Sequence, residues 1–133
     1  MTVANVAQKT VLVIEDDPWT RTITTALLAG EGFAVVEAKN GEEGLQQTRS
    51  HAPDAILLDL ALPTKSGLDV VRELKGDATT AAIPVIVVSA YGTLMNETDA
   101  HHATGVIQKP FDYDDLVGQV ERATASSLEP ALT

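Results

Sequence analysis

Five short aliphatic runs set the limits on how this chain can fold. They are Val11-Leu12-Val13-Ile14, Phe33-Ala34-Val35-Val36, Ala55-Ile56-Leu57-Leu58, Val85-Ile86-Val87-Val88 and a weaker Val106-Ile107. Each has the length of a strand and is apolar almost throughout, the pattern a parallel sheet needs when both of its faces are covered. Amphipathic stretches separate them. Trp19, Ile23, Ala26 and Leu27 mark one face of a first helix, with Gly30 or Gly32 as its stop. Leu45 and Thr48 mark a second, ending before Pro53. Gly67, Val70, Val71 and Leu74 mark a third, with Gly76 as a C-cap. Tyr113, Leu116, Val117, Val120 and Ala123 mark the last. The alternation predicts an α/β fold with a doubly wound five-stranded parallel sheet and helices on both faces. The 133 residues suit one domain, expected over 9–124, with loose tails at 1–8 and 125–133.

Charge narrows the range of partners. Nineteen Asp and Glu oppose nine Lys and Arg, a formal net charge of -10. That sign argues against direct nucleic-acid binding and suits a cation or a basic partner surface. With no cysteine, disulfides and thiolate metal or redox sites are excluded. No run approaches the ~18 apolar residues of a membrane span. Met1 to Thr10 lacks the apolar core of a secretory signal.

Chemistry gathers at the strand ends. Glu15, Asp16 and Asp17 follow the first run, and Asp59 follows the third. In an open α/β sheet, residues just past the carboxyl ends of central strands meet in one crevice. Carboxylates crowded there repel one another until a cation offsets them. An all-oxygen donor set points to Mg²⁺ or Mn²⁺ rather than zinc. Ser89 ends the fourth run and Lys109 the fifth, so both are expected at the same crevice. A hydroxyl, an ammonium and a cation around one carboxylate make a set of phosphoryl-oxygen ligands, and that carboxylate could then serve as nucleophile. Taken singly, these residues have plainer readings. Asp17 before Pro18 is a helix N-cap, and Asp59 could be a turn residue. Ser89 could be a cap and Lys109 a solvated lysine. Four such residues at the ends of four strands make the joint reading the stronger one.

The segments V-L-V-I-E-D-D-P at 11–18, P-D-A-I-L-L-D-L-A-L-P at 53–63 with Gly67 beyond, I-P-V-I-V-V-S-A at 83–90 and K-P-F at 109–111 resemble the receiver domain of two-component response regulators, over about residues 9–124. The resemblance implies a flavodoxin-like fold and a cytoplasmic phosphoacceptor switch, catalysing only its own phosphorylation and dephosphorylation. Asp59 would take a phosphoryl group from a phosphohistidine on a sensor histidine kinase or histidine phosphotransfer protein. Asp16 would bind Mg²⁺ directly and Glu15 mainly through water. Asp59 and the backbone carbonyl of Ala61 would complete the metal ligands. Lys109 would pair with Asp59 and then with a phosphoryl oxygen, and Ser89 would donate to another. Ala90 would leave the phosphoryl path open, and the Lys109–Pro110 bond would be cis. The output would be a protein effector reading the face formed by the helix after Ser89, the fifth strand and the last helix. The protein would act as a monomer or a weak phosphorylation-dependent dimer, and as a stand-alone regulator.

The sequence departs from that family in two places. Val106 stands where an aromatic usually lies three residues before the lysine, and it has no ring to rotate. Only 20 positions separate Ser89 from Lys109, slightly short for the family, and residues 93–102 form helices poorly, which predicts a short, displaced or mobile helix there. His101 and His102 read as an exposed polar loop, while Tyr91 fits either the site rim or packing. Two other functions compete. A degenerate receiver would only bind partners. A phosphohydrolase of the haloacid dehalogenase type would need an acid two residues after its nucleophile, where this chain has Ala61.

Overall fold

The computed structural model describes residues 8–89, 103–109 and 111–126. The expectations for Ala90, Tyr91, the helix over 93–102, His101, His102 and the Lys109–Pro110 bond lie outside the described residues. The elements run β1 (Thr10–Ile14), α1 (Pro18–Gly30), β2 (Ala34–Ala38), α2 (Gly41–His51), β3 (Ala55–Asp59), α3 (Gly67–Gly76), β4 (Val85–Ser89), β5 (Gly105–Gln108) and α4 (Tyr113–Ser126). All strand pairings are parallel, in the order β2-β1-β3-β4-β5. The order reverses at β1, so the crevice opens at the carboxyl ends of β1 and β3.

Strand parity divides the core in two. Leu12, Ile14, Ile56, Leu58, Val85 and Val87 pack with Leu45 of α2 and with Val70, Val71 and Leu74 of α3. Val11, Val13, Ala55, Leu57, Ile86 and Val88 pack on the other side with Leu28 of α1 and Leu116, Val120 and Ala123 of α4. Each central strand is buried on both sides, as its unbroken apolar run requires. Each such Leu, Ile or Val stabilises the fold by about 1.5–3 kcal/mol.

Local chemistry fixes the helix ends. Asp17 caps α1, its Oδ2 accepting from Thr20 N at 2.9 Å, with Pro18 at the first helical position. Asn40 caps α2 and Ser66 caps α3. Gly32 takes φ 98°, the left-handed conformation that stops the chain after α1.

Two helix readings are corrected. The inward residues of α1 are Thr24 and Leu28, while Trp19 is 73% exposed and Ala26 is exposed. A threonine, counted as polar, holds a buried place there beside Val13, Leu57 and Glu15, and this rotates the true stripe away from the tryptophan. Gly76 is the last helical residue of α3, and Asp77 at φ -108° leaves in extended form, so no left-handed glycine is used.

Gly67 has a steric role. A Cβ there would lie 2.5 Å from Leu60 Cα and 2.6 Å from the Asp59 carbonyl oxygen. Gly67→Ala is therefore expected to lower stability by about 2–3 kcal/mol, overpacking against backbone outweighing the usual helical preference for alanine. A denaturant midpoint equal to that of the unmodified protein would contradict this.

Candidate functional site

β1 delivers Glu15, which is buried at 6% exposure, and the chain turns outward so that Asp16 is exposed. β3 delivers Asp59, buried at its last position. One carboxylate oxygen from each of Glu15, Asp16 and Asp59 can be chosen so that all lie within 4.8 Å of one another. Lys109 arrives from the end of β5. Its Nζ lies 3.0 Å from Asp59 Oδ2 and 3.7 Å from Glu15 Oε1. Ser89 is buried at the end of β4, whose register sets Asp59 opposite Val88, and its carbonyl accepts from Lys109 N at 2.7 Å. Ala61 N donates to Asp59 Oδ1 at 2.9 Å. Asp17 turns away to cap α1. Hydrogen bonds from Thr20 hold its carboxyl below the usual range.

The electrostatics follow from burial and crowding. Burial pushes the Glu15 carboxyl up to about 7. The Asp17 backbone N–H resists this, the neighbouring Asp59 adds to it, and Lys109 offsets part. Burial works against charge on Lys109, yet its hydrogen bond to Asp59 and the charges of Asp59, Glu15 and Asp16 outweigh that and raise its pKa. Two buried acids and an exposed one with a single ammonium leave excess negative charge in a small volume. Hard oxygen donors, crowded and only partly neutralised, suit a divalent ion of the Mg²⁺ or Mn²⁺ kind.

An open cleft of about 440 Å³ leads to Lys109, lined also by Thr20, Phe111 and Tyr113. The two rings meet edge to face at 5.1 Å. Val106, which stands in place of the expected aromatic, is 48% exposed on β5.

The sequence did not single out Arg21. Its Nη1 donates to the carbonyls of Glu15 at 2.8 Å and Asp16 at 3.4 Å, and its Nε lies 3.5 Å from Glu37 Oε1. The available signal was its place one helical turn beyond Asp17, which names no partner.

The family model described as response regulator receiver domain matches residues 11–121. Protein PilH of Pseudomonas aeruginosa is 33% identical over 120 residues, covering 86% of this chain and 97% of that protein. Transcriptional regulatory protein ZraR of Escherichia coli is 35% identical over 118 residues, covering 86% of this chain and 26% of its own length. The chain thus spans nearly all of one relative and about a quarter of the other. The crystal structure of a response regulator receiver domain protein from Clostridium thermocellum is similar, with TM-score 0.82 and 27% identity over 94% of this chain and 99% of that one.

Proposed function

The chain belongs to the response regulator receiver domain family, and from that premise we propose that Asp59 is the phosphoacceptor of a two-component or phosphorelay switch. The observation that carries this reading is the Lys109 ammonium 3.0 Å from Asp59 Oδ2 inside a cluster of three carboxylates. A receiver acts on itself, not on outside substrates. Ala61, two residues past Asp59, offers a backbone N–H where a haloacid dehalogenase-type hydrolase needs an acid.

The donor is a phosphohistidine on a sensor histidine kinase or histidine phosphotransfer protein. An Asp59 oxygen attacks phosphorus. The O–P bond forms as the P–N bond breaks, and the electron pair returns to the imidazole nitrogen, which takes a proton. A bound Mg²⁺, held by Glu15, Asp16, Asp59 and the Ala61 carbonyl, would supply charge neutralisation for the phosphoryl oxygens. Lys109 and the Ser89 hydroxyl receive those oxygens once the group is in place. Drawing Ser89 toward the phosphoryl group repacks the face of β5 and α4, where a protein effector binds. A preference of about 1–3 kcal/mol for one packing suffices. The unit acting in this way is residues 9–124, as a monomer or a weak phosphorylation-dependent dimer.

Incubation with Mg²⁺ and acetyl phosphate should add the mass of one phosphoryl group, and Asp59→Asn should abolish the gain. No gain in the unmodified protein, or an equal gain in Asp59→Asn, would contradict the proposal. Sustained hydrolysis of external phosphate esters would favour the hydrolase instead.

A further inference from the structure

Asp16 is the exposed member of the three carboxylates, so its direction depends on its backbone. Arg21 grips that backbone on both sides. The Glu15 carbonyl belongs to the peptide before Asp16, and the Asp16 carbonyl to the peptide after it; Nη1 donates to both, at 2.8 Å and 3.4 Å. The second peptide is held at its other end too, where Asp17 N donates to Glu15 Oε2 at 3.1 Å. Arg21 is itself fixed. Its Nε faces Glu37 Oε1 on β2 at 3.5 Å, and the other oxygen of Glu37 accepts from Thr25 Oγ1 at 2.5 Å. Arg21 and Thr25 stand one turn apart on α1, so two residues of one helix hold a single carboxylate. The Arg21 side chain is 19% exposed against 42% for Glu37, placing the guanidinium inside the relay.

From this geometry we propose that Arg21 is a positioning residue for the divalent-cation site, orienting Asp16 through its two flanking peptides and anchored by Glu37 and Thr25. The proposal rests on the Mg²⁺ reading above. A planar fork can serve carbonyls from one nitrogen and a carboxylate from another, whereas a lysine offers one point of charge. Groups that orient metal ligands without touching the metal typically change affinity by about 10–100-fold when removed.

Trp19, the only tryptophan, lies between Asp16 and Arg21 in sequence and serves as a fluorescent reporter. Mg²⁺ titrations are to be run on the unmodified protein, Arg21→Met, Arg21→Lys, Glu37→Gln and the Arg21→Met/Glu37→Gln pair, with melting curves in chelator beside them. The dissociation constant should rise roughly ten-fold in Arg21→Met, with partial recovery in Arg21→Lys. Glu37→Gln should shift it in the same direction by less, and adding it to Arg21→Met should change nothing further. With acetyl phosphate, the half-saturating Mg²⁺ should rise by a larger factor than the saturating rate falls. A dissociation constant within about two-fold of the unmodified value in Arg21→Met would overturn the role, as would additive effects of the pair. Should Arg21→Met fail to fold, an unchanged constant in Glu37→Gln would overturn it instead. Failure of the unmodified protein to bind Mg²⁺ would overturn the metal reading as well, which separates the two.

Discussion

In chelator, Lys109→Met is expected to lower stability by about 2–3 kcal/mol, and adding Asp59→Asn is expected to restore most of it. Lys109 is the ammonium within hydrogen-bonding distance of Asp59, and Asp59 is buried at 3% exposure. Removing the lysine leaves two buried carboxylates facing each other without a cation. Breaking a fully buried pair from one side costs about 3–5 kcal/mol, and the 33% exposure of the Lys109 side chain reduces that figure. Asp59→Asn then removes the uncompensated Asp59 charge beside Glu15 and keeps the shape. Urea midpoints of the two single variants and the double variant test the coupling. If the losses simply add, the ion pair is not what Lys109 contributes.

Metal-free stability is expected to fall by a few kcal/mol as pH rises from about 4.5 to about 7, because Glu15 titrates there in the folded protein. The sign follows from proton binding. Below the ordinary value of 4.5 both states hold the proton, and nothing changes. Between 4.5 and about 7 the unfolded chain has released it and the folded protein has not, so raising the pH favours unfolding. Above about 7 both states are ionised and the loss is complete. The lowered carboxyls of Asp17 and Asp77 act in the opposite sense, and only below their ordinary value of 3.8, outside this window. Glu15→Gln should flatten the profile. Saturating Mg²⁺ should restore stability at the alkaline end, by about 1.4 kcal/mol at ten times its dissociation constant. Thermal melts in chelator at about pH 5 and about pH 8 measure the effect. Equal stability at both would show that Glu15 is not buried among negative charge.

The central strands β1, β3 and β4 were legible because burial on both faces leaves no room for polar residues, and that absence shows in a linear string; the outer strands β2 and β5 are only partly buried and left weaker traces. α3 was legible for a related reason. Its inward residues Gly67, Val70, Val71 and Leu74 are those a hydropathy pattern selects. α1 was not. It turns Thr24 inward near the carboxylates and leaves Trp19 outside, and hydropathy ranks those two the other way. Glu15, Asp16, Asp59 and Lys109 could be grouped from sequence because parallel strands deliver their ends to one rim. The network of Arg21, Glu37 and Thr25 could not. It joins a helix flank to an edge strand through side-chain reach, which depends on rotation about α1 that no spacing records.

The close seat of Gly67 on Leu60 and Asp59 makes the two sides of Asp59 mechanically unequal. Toward α3 the backbone abuts backbone, with no slack to absorb a displacement. Toward β5 lies a four-residue outer strand with a half-exposed valine. A group added at Asp59 would therefore meet a rigid wall on one flank and a compliant margin on the other. On the phosphoacceptor reading proposed above, deformation is expected toward that margin rather than toward α3.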